Sequence, residues 1–152
     1  MDAALTYLGY RARTAREVER RLDELQYGEV EIAETLERLK ELKLVDDAAY
    51  AEEFIASRLR SKPVSRAHLR EQLRAHELDN DILCDALSAV TDERERENAC
   101  RAARAFYPRE GLPDDDGKSY ERLLAKLMRH GFGYYDSRYA LDCCASEAER
   151  EE

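Results

Sequence analysis

The sequence has no tryptophan, three prolines and six glycines among 152 residues. So few turn-forming residues exclude a sheet protein built on frequent tight turns. No apolar run approaches the roughly 18 residues needed to cross a bilayer, so no membrane span is expected. No basic region followed by an apolar stretch opens the chain, and the expected compartment is the cytoplasm. No C-x-x-C spacing occurs: Cys84 and Cys100 sit within helical patterns, and Cys143 and Cys144 are adjacent. Buried or incidental thiols are therefore expected, and neither a zinc site nor a redox pair. Ser/His/Asp order, H-E-x-x-H and a glycine-rich phosphate loop are all lacking. The run Asp114-Asp115-Asp116 lacks the ligand spacing of an EF-hand and reads as a solvated loop. No catalytic residue, metal or cofactor is expected.

Ala, Leu, Glu and Arg, all good helix formers, dominate what is present. The formal net charge is −9, which disfavours a general nucleic-acid binder. The charge is uneven. Residues 1–76 hold 14 Lys+Arg against 15 Asp+Glu, whereas residues 77–152 hold 11 against 19. Within residues 56–76 only Glu71 opposes Arg58, Arg60, Lys62, Arg66, Arg70 and Arg74.

An internal repeat organises the chain. A shift of 51 residues places Thr14 on Ser65, Val18 on Leu69, Leu22 on Leu73, Ile32 on Leu83 and Leu36 on Leu87. A shift of 105 places Thr14 on Ser119, Val18 on Leu123, Leu22 on Leu127 and Tyr27 on Phe132. The third copy is the least faithful, since Ile32 meets Ser137. In each copy a hydroxyl residue opens a helix, and apolar residues four apart then mark one helix face. Thr14 and Glu17 form a T-x-x-E capping box. The pattern predicts helices near 3–10, 14–26, 29–42, 47–61, 65–76, 80–91, 93–106, 119–130 and 134–146. The expected fold is all-α: three tandem three-helix repeats stacked into an elongated, curved array. Its expected parts are residues 1–45, 46–91 and 92–146, the last with a polar loop at 108–117, and an acidic tail at 147–152. Tyr27, Leu78 and Phe132 share one repeat position and are expected to pack, as are Tyr50 and Phe54.

The candidate binding residues are basic. Arg66, Arg70 and Arg74, at four-residue spacing, line one face of the fifth helix, with Arg58 and Lys62 at the same spacing upstream. His68 and His76, eight apart, are placed to share that face. Arg13 and Arg21 in the first repeat correspond to Lys118 and Lys126 in the third, and Arg129 follows. This pattern allows a basic stripe along the array that meets a large partner through acidic protein surface or phosphate.

Longer stretches resemble a known family. Leu44-Val-Asp-Asp-Ala-Ala-Tyr-Ala-Glu-Glu-Phe-Ile-Ala-Ser-Arg58 is similar to the L-D-D-x-x-[FY]-A pattern of the RecX regulators of the RecA recombinase. Val64-Ser-Arg-Ala-His-Leu-Arg-Glu-Gln-Leu73 resembles that family's G-x-x-R-I-x-x-E-L segment. Leu127-Met-Arg-His-Gly-Phe132, followed by Tyr139-Ala-Leu141, resembles its R-x-G-F ending. Tyr10-Arg-Ala-Arg-Thr-Ala-Arg-Glu-Val18 resembles its opening. His76-Glu77 stands where a K-G pair is common in the family. The resemblance implies a non-catalytic modulator in recombination, DNA repair and the SOS response, and a monomer is expected because no repeat face is obviously spare. It implies binding in the groove of the RecA filament on single-stranded DNA and suppression of ATPase, strand exchange and co-protease function. Two alternatives of other classes stay open. One is a stand-alone helix-turn-helix-like DNA-binding module, against which stand the acidic Glu29, Glu31, Glu34 and Glu37. The other is a helical scaffold for another protein.

Overall fold

The computed structural model describes residues 1–151. Among them are nine helices and no strand: α1 (Asp2–Leu8), α2 (Ala15–Glu24), α3 (Glu29–Glu41), α4 (Asp47–Ser61), α5 (Arg66–Arg74), α6 (Asn80–Ser88), α7 (Asp92–Phe106), α8 (Lys118–Arg129) and α9 (Tyr134–Glu151). The expected all-helical class and the number of helices are as observed. The largest boundary difference is at α9, which continues through 147–151, where the sequence pattern suggests a tail.

Local chemistry accounts for the helix ends. Thr14 Oγ1 accepts from the Glu17 backbone N–H, and the Glu17 carboxylate accepts from the Thr14 N–H, completing the capping box. Asp46 Oδ1 accepts from the Ala49 N–H at the start of α4. Asp115 does the same work for α8, accepting from both the backbone N–H and the hydroxyl of Ser119. Those two bonds, the hydroxyl's first, hold the Asp115 carboxyl below the usual carboxylate range.

A left-handed residue follows the second helix of each repeat. Gln26 (φ 64°), Glu77 (φ 57°) and Gly131 (φ 93°) are equivalent under the repeat shifts. At this position the chain reverses out of the helix, releasing the last carbonyls to the turn. Glycine is used only in the third copy, and there it is required. A Cβ on Gly131 would run into Ser65 Oγ.

The chain packs as two compact units: residues 1–56 with 71–86, and residues 57–70 with 87–152. In the first unit, Val18 and Leu22 of α2 bury with Ala4, Ile32, Leu39 and Val45. In the second, Ala99, Ala102 and Ala103 of α7 bury with Leu127 of α8, Phe132, and Ala140 and Leu141 of α9. Each large aliphatic side chain so buried contributes about 1.5–3 kcal/mol. The small residues of α7 let α9 approach closely. The expected packing position Tyr27/Leu78/Phe132 holds only in part. Phe132 is 3% exposed, but Tyr27 is 41% exposed. Phe132 lines one cavity with Val64 and Ser65 of the preceding repeat.

Candidate partner-binding surface

The same joint is built in both units from repeat-equivalent atoms. In the first unit the Thr14 hydroxyl donates to the His76 carbonyl at 2.9 Å. In the second the Ser65 hydroxyl donates to the His130 carbonyl at 2.6 Å. A hydroxyl that caps the second helix of one repeat thus also satisfies an orphan carbonyl ending the second helix of the next. Ser119, in the last repeat, turns to its own Asp115 instead. A second link runs alongside. A carboxylate from the next repeat accepts from the first N–H of the helix: Asp47 from Ala15 at 2.8 Å, and Glu95 from Arg66 at 3.0 Å.

These joints determine which basic residues face outward. Arg66 does not. Its guanidinium donates to the Val90 carbonyl at 3.1 Å and pairs with Asp92 at 2.8 Å and with the buried Glu95 at 3.7 Å. Burial raises the Glu95 carboxyl above its ordinary range; the Arg66 backbone bond and charge pull it back. Arg66 is therefore engaged within the second unit. The reason is geometric. At about 100° per residue, arginines four apart drift by about 40° per step, and Arg66 lies about 20° from buried Leu73. Arg70 and Arg74 are carried further from the core and are exposed.

The other expected residues are dispersed. Arg58, Lys62 and Arg70 are exposed and belong to the second unit; Arg74 belongs to the first. Arg13 lies 4.1 Å over the Tyr7 ring, and Arg21 pairs with Glu24 at 3.3 Å along α2. Lys126 lies 4.0 Å over the Phe106 ring, while Lys118 and Arg129 are exposed. Of the two histidines expected on the basic face, His68 is exposed, but His76 turns inward. His76 Nδ1 is 2.8 Å from buried Glu17 and 3.0 Å from the Tyr50 hydroxyl, with Tyr50 and Phe54 packed on its ring.

Burial raises the thiols of Cys100 and Cys144, the latter to about 11, so both stay protonated and weakly nucleophilic at neutral pH. The Tyr120 phenol, raised to about 12 by burial and by Asp142, donates to that carboxylate at 2.8 Å. No group of three His, Cys, Asp or Glu among the described residues is placed to hold a metal ion. None of the described helices is long and apolar enough to cross a membrane.

The tandem three-helix plan matches a known family. A model of the first three-helix domain of RecX matches residues 1–39, and a model of the second matches residues 46–87. Regulatory protein RecX of Chlorobium phaeobacteroides (strain BS1) is 33% identical over 141 residues, covering 93% of this chain and 90% of that one. The chain belongs to the RecX family of regulatory proteins. Regulatory protein RecX of Mycobacterium avium (strain 104) is 32% identical over 149 residues, covering 97% and 84% of the two chains. The crystal structure of RecX from Lactobacillus salivarius superposes with a TM-score of 0.83 at 28% identity, covering 93% of this chain and 94% of that one. The RecX resemblance of the sequence motifs and the tandem three-helix plan are thus both established. In this RecX-family chain Glu77 keeps the left-handed turn without a glycine, and it pairs with Arg20 at 2.7 Å.

Proposed function

We propose that this chain is a non-catalytic, monomeric cytoplasmic modulator of RecA. In this reading it binds in the groove of the RecA filament on single-stranded DNA and suppresses ATPase, strand-exchange and co-protease activities. One observation carries the placement of the contact. Residues 57–70 hold Arg58, Arg60, Lys62, Arg66 and Arg70 and no Asp or Glu, in a chain of net charge −9. Arg58, Lys62 and Arg70 are exposed there and are the expected contacts to acidic RecA surface. Arg66 contributes by holding the segment against α7, through Glu95 and Asp92. A stand-alone DNA-binding role is less well supported. The helix that would follow the turn, α3, exposes Glu29, Glu31, Glu34 and Glu37, which repel phosphate.

The test is the single-stranded-DNA-dependent ATPase rate of the cognate RecA as the protein is titrated in. Inhibition at substoichiometric ratios is expected, with at least about tenfold more of a Lys62→Glu/Arg70→Glu variant required for the same effect. No effect of the folded wild-type chain up to excess would overturn the reading.

A further inference from the structure

The second unit contains a cavity of about 250 Å³ whose lining carries no acidic side chain. Val64 and Phe132 are buried at its floor, and Phe106 forms a half-buried wall. Exposed Lys62, His68, Ala105 and His130 surround it. The volume suits one large apolar side chain.

The cavity sits at the joint described above, and the two joints differ in the residues that flank the link. In the first unit Glu17 and His76 are paired at 2.8 Å. Under the repeat shifts Glu17 corresponds to His68 and His76 to His130. Both histidines line the cavity. Two imidazoles replace the carboxylate–imidazole pair, while the backbone link from Ser65 to His130 remains.

Charge around the cavity is one-sided. Its lining comes from residues 62–68, 102–106 and 130–132. These stretches contain two, one and no Lys+Arg and no Asp or Glu. Arg66 and Arg104 among them are engaged with Asp92 and Glu147. Lys126, over Phe106, adds its charge beside the aromatic wall. A low-dielectric wall under charge of one sign focuses the field outward.

We infer that this cavity is a docking pocket for a single large apolar side chain carried in an acidic segment of a partner protein. The apolar floor supplies the desolvation and the surrounding cations select the flanking carboxylates. A nucleic-acid base fits less well. The Ser65 hydroxyl in the lining is already committed, donating to the His130 carbonyl and accepting from the His68 N–H. The inference stands on the cavity alone and holds whether or not the partner is a RecA filament.

The test uses the full chain, ¹⁵N-labelled, titrated with the peptide acetyl-Glu-Glu-Phe-Glu-Glu-amide, its Phe→Ala counterpart and a short oligothymidylate. The Phe peptide is expected to shift the amides of His68, Ala105 and Phe132 with a Kd on the order of 1 mM. The Ala peptide is expected to bind about tenfold more weakly or worse. Ala105→Leu, at an exposed helix position that leucine suits, should fill the mouth and abolish the shifts. Lys62→Glu should weaken the Phe peptide independently of any packing change. Equal response to the two peptides, or no response, would overturn the proposal. So would Ala105→Leu and Lys62→Glu behaving as wild type. Stronger perturbation of the same amides by oligothymidylate would assign the pocket to nucleic acid instead.

Discussion

The two joints, one in each unit, share a plan and differ in what fills them. Thr14–His76 is backed by a buried carboxylate, an imidazole and two aromatic rings. Ser65–His130 is backed by a glycine turn and a cavity. The conserved element within the chain is the backbone link: a hydroxyl donating to the carbonyl that ends a helix in the next repeat. Side chains around that link are free to change as long as its polar atoms stay satisfied. One joint therefore holds a paired carboxylate and imidazole, and the other borders a cavity.

The sharpest way to break the second joint is Gly131→Ala. The added Cβ meets Ser65 Oγ, and φ of 93° is unfavourable for alanine. A loss of about 2–4 kcal/mol is expected from strain and overpacking combined, read by denaturant unfolding. Glu17→Ala tests the first joint. It removes half of the capping box and the partner of His76, with an expected cost of about 1–3 kcal/mol. His68→Ala, at the equivalent position in the second joint, should change stability by less than about 0.5 kcal/mol because His68 is exposed. Equal costs for these two variants would refute the contrast drawn here.

The arginines of α5 sharpen the comparison further. Arg66→Ala is expected to lower stability by about 1–3 kcal/mol, since Glu95 loses its cation while staying buried. Arg70→Ala should stay within about 0.5 kcal/mol, and its effect should instead be on RecA inhibition. The smallest effect expected is from Glu77→Gly. It relieves a left-handed non-glycine residue but loses the exposed pair with Arg20, for a net gain of up to about 1 kcal/mol in a thermal melt.

Much of the fold was legible from spacing. Val18 and Leu22, and Leu69 and Leu73, lie four apart and are buried. Thr14 and Glu17 form the box that T-x-x-E predicts. The candidate site was less legible. Four-residue spacing groups Arg66 with Arg70 and Arg74, but the drift of that spacing around the helix puts Arg66 beside the core. A helical projection that includes Leu69 and Leu73 would have separated it. Eight-residue spacing from His68 groups His76 with the basic face. Its partner, Glu17, is 59 residues away. Residues 102–106 and 130–132 are far from 62–68 in the sequence, and only packing brings them to one cavity.

The sequence by itself determined the helices and caps, because each is set by residues within a turn or two of one another, and the three-fold repeat and uneven charge, which need only the linear order of residues. The tertiary structure decided which cations are engaged internally, which histidine is buried and where a cavity remains. Those outcomes depend on contacts between residues tens of positions apart, as between Glu17 and His76.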